Sequence, residues 1–335
     1  MPLPLIPIIA GIVALAAGGY GVGKGAKAIK DNNKANKVNK NAQDIIDTAQ
    51  EKLQISRNRT SKALTDLGNK KIDICDKHLA HFIASFEKLK NVELENSVGL
   101  EDLSKFKIDK QSITDLKKIT LMATSLAAGT AGGAVAGAAV AFGAYGAAGA
   151  LATASTGTAI ATLSGAAATN ATLAFFGGGA IAAGGLGIAG GTAILGGLVA
   201  GPALAVVGCV MGAKASANLD NAYSNLATAK KVKEELAVLT TVCNGIKKRS
   251  DLFTKTLIKL EAILNMQLAK FEYVIATEGV DYSLFSEGSK NLVAMLLGTV
   301  QAVKAILDTP LLDENGTLTA ESEKVINTVK GLLPA

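Results

Sequence analysis

The sequence predicts an all-α protein, an elongated bundle of long helices with a glycine- and alanine-rich hydrophobic helical hairpin as its head. Three observations predict it. Residues 119–213 form a window of 95 consecutive residues without Asp, Glu, Lys, Arg or His, and they hold 22 of the chain's 36 glycines. On both sides of the window apolar residues recur every three or four positions over long stretches, the period of a helical seam. No stretch reads convincingly as a strand.

Composition points the same way. Hydrophobic residues make up 49% of the chain, yet only 4% are aromatic and Trp is absent, because Ala and Gly supply much of the apolar count. Such residues bury little area each, but they let helices approach closely. The net charge of +6 lies wholly in residues 1–118, which hold 20 basic and 14 acidic side chains, whereas residues 214–335 hold 14 of each. Cys75, Cys209 and Cys243 are far apart and form no CxxC pair, so they read as packing thiols rather than a disulfide framework.

In chain order, residues 1–24 are an apolar N-terminal segment. Its first basic residue, Lys24, follows the apolar run, which is the reverse of a secretory leader and favours a retained segment. Pro2, Pro4 and Pro7 delay helix onset there. Residues 25–118 are a long basic amphipathic helix, to about residue 91, and a connector. Ala35, Val38, Ala42, Ile45, Ala49, Leu53, Thr60, Ala63 and Leu67 mark its seam, continued by Leu79, Phe82, Phe86 and Leu89. Residues 119–213 divide at the polar cluster around Gly157 and at Gly177 to Gly179 into three helical pieces, 119–151, 158–176 and 180–213, the last kinked at Pro202. Residues 214–335 form a C-terminal helical bundle. A helix over 215–249 carries Leu219, Tyr223, Leu226, Leu236 and Leu239 on its apolar side. Ser250 or Asp251 caps a second helix, which Gly279 ends, with Phe253, Leu257, Leu260, Leu264, Leu268 and Phe271 inward. A helix over 284–307, a turn at Asn315-Gly316 and a short last helix capped by Thr319 follow.

Two residue sets stand out as sites. Small residues four apart form flat strips for helix packing, in Gly129/Gly133/Gly137 and in the pairs Gly187/Gly191, Gly197/Gly201 and Gly208/Gly212. Lys24, Lys27, Lys30, Lys34, Lys37 and Lys40 lie loosely on one side of a helix just after the apolar N-terminus, with Asp31 the only acidic residue among them. Such a series suits contact with the headgroups of an anionic leaflet, against the plainer alternative of a solvated face. Aromatic residues do not interleave with it, which argues against nucleic acid.

Other patterns carry less. Gly18-x-x-x-x-Gly23-Lys24 approaches a phosphate-binding loop, but Gly25 stands where Ser or Thr is required and no strand precedes it. His78 and His81, near Cys75 and Asp76, lack a second ligand cluster and read as seam or surface residues. The paired carboxylates Glu234-Glu235 read as a solvated face. No catalytic constellation can be assembled, so an enzyme, a cofactor and a metal site are not expected.

Insertion of single pieces of the window is marginal. Across residues 178–197 only Ile181, Leu186, Ile188, Ile194 and Leu195 favour it, roughly −2 kcal/mol together on the translocon scale. A marginal segment can be sheltered by a soluble bundle and released later. The layout, a hydrophobic head between two long helices, resembles α-helical pore-forming toxins of the cytolysin A and haemolysin BL type, apart from the glycine-rich apolar N-terminus. The segment Ser155-Thr156-Gly157-Thr158-Ala159-Ile160 through Ser164-Gly165-Ala166 to Gly177-Gly178-Gly179 is similar to part of an uncharacterised bacterial glycine-rich, membrane-associated family. The family resemblance implies a bacterial origin and little about activity. Taken with the glycine spacing and the toxin-like layout, the expected function is a membrane protein with a soluble precursor that oligomerises through glycine-packed helices and forms a pore or perturbs a bilayer. The alternative is a permanent membrane-anchored scaffold or signalling protein whose long helices bind a protein partner.

Overall fold

A computed structural model describes residues 22–92, 110–129, 139, 142–144, 146, 219–313 and 316–333. Its regular elements are α1 (Val22–Asp73), a π-helical turn (Ile74–Leu79), α2 (Ala80–Phe86), α3 (Lys110–Gly129), α4 (Leu219–Glu278), a 3-10 turn (Tyr282–Leu284), α5 (Glu287–Asp308) and α6 (Ala320–Leu332). Among the described residues β pairing is limited to two isolated bridges, Lys90 with Asp281 and Leu312 with Leu318. The all-α class holds. The expected hydrophobic hairpin, with its pieces at 158–176 and 180–213, lies outside the described residues.

The first long helix follows its seam. Ala35, Ala42, Ala49, Leu53, Thr60, Ala63 and Leu67 are buried, and the π turn carries the path on to Leu79 and Phe82. At 1.5 Å per residue α1 follows a path of about 80 Å. The helix ends after Phe86, and Asn91 takes a left-handed φ of 52°.

The second long helix corrects the sequence reading. Instead of two helices meeting at Ser250 or Asp251, α4 runs unbroken over 60 residues. Ser250 is buried and its hydroxyl donates to the Ile246 carbonyl at 3.0 Å, so it satisfies a turn of its own helix rather than capping a new one. Lys247 pairs with Asp251 one turn on, at 2.5 Å, which supports continuity. Tyr223 also departs from expectation. It is half exposed rather than inward, with the Lys34 ammonium 5.9 Å from its ring centre. Gly279 does end the helix, at φ 86°.

Thr319 caps the last helix as expected, whereas α5 starts at Glu287, after the 3-10 turn, rather than at 284. Ser286 accepts from the Ser289 backbone N–H to start α5, and Thr319 accepts from the Ser322 N–H to start α6. The Glu278 carboxylate accepts from the Ser289 hydroxyl and the Ser286 N–H, which holds its pKa below the usual carboxylate value.

The long helices run parallel. Asn39 pairs with Asn225, Ser56 with Asn244, His81 with Glu272 and Asn91 with Asp281, separations of 186, 188, 191 and 190 residues. A near-constant difference, rather than a constant sum, means two helices pointing the same way. Their first halves meet over a thin seam of Ala42, Ile46, Ala49 and Leu53 against Ala229, Val232, Leu236 and Cys243. Their second halves join α3, α5 and α6 around a larger core that includes Phe82, Phe253, Phe271 and Leu296. Among the described residues α5 alone is long and apolar enough to cross a membrane, and 67% of its apolar window is buried in that core.

Candidate functional site

Beyond α3, which carries the first residues of the uncharged window, two places in the described residues bear on it. The first is a clasp on the larger core. After α3, the chain passes α1 at a separation that only glycine permits. A Cβ built on Gly68 would stand 1.7 Å from the Ala139 carbonyl oxygen, and one on Gly143 would stand 2.3 Å from the Leu64 carbonyl oxygen. The Ala144 carbonyl then accepts from the backbone N–H groups of Leu311 and Leu312, at 2.8 and 3.0 Å. Gly146 takes a left-handed φ of 63° beside the carbonyl oxygens of Leu307, Asp308 and Thr309.

Lys71 lies inside this clasp with no exposed surface. Its ammonium donates to the Phe142 carbonyl at 3.2 Å and sits 5.4 Å from the Phe142 ring centre. Among the described residues no carboxylate comes within ion-pair distance of it, although the adjacent Lys70 and, two turns on, His78 are well paired. Lys70 meets Glu261 at 2.5 Å, and His78 meets the same carboxylate at 3.2 Å. Burial lowers the Lys71 pKa from 10.5 to about 7, opposed in part by Cys75 and Asp308. The same burial pushes the Cys75 thiol up, so it packs rather than reacts.

The second place is the end at which both long helices begin. Parallel packing puts the start of α1, which residues 1–21 precede, beside the start of α4, which the window precedes. Lys34, Lys37 and Lys40 are exposed there; Lys24, Lys27 and Lys30 lie in the first turns of α1. A basic collar therefore stands where two charge-free stretches enter the described structure. Gly23 and Lys24 are within α1, not in a loop that could wrap a phosphate.

Of the packing glycines singled out by spacing, Gly129 is the last residue of α3. Gly133, Gly137, Gly187, Gly191, Gly197, Gly201, Gly208 and Gly212 lie outside the described residues. Gly68, Gly143 and Lys71 were missed. One signal was available for Lys71. It falls four residues after Leu67 and three before Ile74, so a charge interrupts the seam register. His81 faces Glu272 at 2.5 Å on an exposed surface. Among the described residues no group of three or more His, Cys, Asp and Glu could hold a metal. Cys75 and Cys243 are free and buried, as expected of packing thiols.

Comparison with protein-family models, with curated proteins and with solved structures gave no match.

Proposed function

We propose that this protein inserts into bilayers through its uncharged window, oligomerises through glycine-packed helices and forms a pore or otherwise perturbs the membrane. The observation that carries the reading is the parallel direction of α1 and α4. It sets the start of α1, which follows the apolar N-terminal segment in sequence, beside the start of α4, which follows the 95-residue charge-free window, at a collar of exposed lysines. Lysines gain most at an anionic surface when apolar chain enters the membrane beside them. The larger core at the other end needs no lipid to bury its apolar faces, which suits a soluble precursor.

The test uses purified full-length protein and dye-loaded vesicles of phosphatidylcholine and phosphatidylglycerol. Leakage that grows with protein concentration is expected, with protein floating with the vesicles. Intact vesicles at saturating protein would sink the proposal.

One observation favours the scaffold alternative. A groove of about 540 Å³ runs along the α1–α4 pair between Ile45, Thr48 and Lys52 on one side and Lys233, Ala237 and Thr241 on the other, wide enough for side chains of a partner. Carbonate extraction separates the two readings. Protein that never leaves the membrane fraction supports the scaffold.

A further inference from the structure

We propose that Lys71 is a release device, an ammonium sealed into the clasp so that the window segment carrying Ala139, Phe142 and Ala144 is held only weakly against the core. This inference rests on the membrane reading above for its purpose, but its physics can be tested without lipid.

The geometry of the clasp is otherwise tight. It joins backbone to backbone at Gly68 and Ala139, at Leu64 and Gly143, and at Ala144 with Leu311 and Leu312. Into that contact the chain places a lysine whose one acceptor among the described residues is a carbonyl of the clasped segment itself. When Phe142 leaves, Lys71 loses that bond and regains water, which satisfies all three ammonium donors. The groups around it supply little counter-charge. From its own helical path Cys75 faces it as a neutral thiol. From α5 comes Asp308, already paired with Lys304 at 2.5 Å. Among the described residues of the window, Phe142 supplies its carbonyl and ring. The α3 residues of this core, Leu116, Ile119 and Ala123, and the α4 residues Phe253 and Leu257 carry no titratable group.

The direction of the pH effect follows. In the closed clasp burial lowers the Lys71 pKa to about 7; opened to water, it moves back toward the 10.5 of a free lysine. Between those values the open state holds a proton that the closed state lacks, so the clasp tightens as pH rises from about 7 to 10.5. Below about 7 both states carry the proton, and acidification loosens the clasp no further through this group. At neutral pH the lysine thus favours opening, by a factor on the order of 10³.

The experiment is hydrogen exchange, read by mass spectrometry on the peptide spanning residues 139–146 of the full chain in lipid-free buffer. In Lys71→Met, of similar length and without charge, exchange at pH 7 should be slower than wild type by at least about tenfold. Between pH 7 and 9 the wild-type protection factor should rise by up to about 100-fold. Lys71→Arg, which cannot lose its proton, should show no such rise. Equal exchange in Lys71→Met and wild type at pH 7, or a wild-type protection factor flat from pH 7 to 9, would overturn the inference. If Lys71→Met does not fold, the wild-type pH series decides alone. Intact vesicles together with a pH-dependent clasp would remove the membrane reading and leave the latch. Leaking vesicles with a pH-independent clasp would do the reverse.

Discussion

At the scale of single residues, the clasp depends on two absent methyl groups. The Cβ of an alanine at 68 would meet the carbonyl oxygen of Ala139 at 1.7 Å, and the atom in the way is backbone, which cannot swing aside as a side chain can. Overpacking of this kind costs about 1–3 kcal/mol, and a rigid obstacle puts it at the upper end. Gly68→Ala should therefore lower the urea midpoint and raise hydrogen exchange across residues 139–146. Gly245→Ala is the control. Its Cβ would lie 3.6 Å from Leu318 Cδ1, within ordinary contact, so the better helix former should raise stability by about 0.5–1 kcal/mol. An unchanged midpoint for Gly68→Ala would mean that the close approach is not maintained in solution. Neither Gly68 nor Lys71 was legible as a site from the chain alone. A glycine inside a charged helix says nothing until the backbone that passes it is known, and a lysine in seam register is as readily drawn out to solvent along its stem.

At the scale of elements, the thin half of the α1–α4 pair is held by small residues that would slide past one another cheaply. A polar layer fixes the register. The Ser56 hydroxyl donates to Asn244 Oδ1 at 2.8 Å, and the Thr60 hydroxyl donates to the Cys243 carbonyl at 2.8 Å. One buried polar contact of this type is enough to set alignment in a helical pair. The double variant Ser56→Ala/Asn244→Leu should keep its helicity while losing a single alignment. Cysteines placed at 39 and 225, whose asparagines bond at 3.1 Å, provide the readout. Fast and nearly complete 39–225 cross-linking is expected on the parent sequence, and slower, partial cross-linking on the double variant. Equal rate and yield on both would show that apolar packing alone sets the register. The seam residues of both long helices were legible, because spacing of three and four residues is a local property. Direction was not, since the same spacing serves parallel and antiparallel partners and the connection between residues 92 and 219 is long enough for either. Ser250 misled for a related reason. A serine can cap a helix or bond back to its own turn, and the choice is made by burial against the neighbouring helix.

For the whole molecule, the parallel pair gives the protein two unlike ends. Gly143 meets α1 at the level of Leu64, whereas Leu219 starts α4 near Lys34, about 50 Å away along the pair. The last residue of the window, 213, lies six positions before Leu219, so apolar chain that entered a bilayer from that end would do so next to the lysine collar. Charge should matter at that end and not at the other. Replacing Lys34, Lys37 and Lys40 by Gln removes about 1 kcal/mol per side chain at an anionic surface, so affinity for phosphatidylglycerol vesicles should fall by roughly 100-fold at low ionic strength. The difference should shrink as salt approaches 0.15 M, where screening acts over about 8 Å. Lys88→Gln and Lys270→Gln, exposed toward the far end of the pair, serve as controls and should leave affinity unchanged. Neutral phosphatidylcholine vesicles should not distinguish the variants. Vesicle flotation across a salt series measures all of these. Equal losses from the collar and the far-end lysines would indicate a diffuse charge effect and rule out end-on approach. A loss confined to the collar would fix which end of the molecule meets the membrane before any part of the window is released.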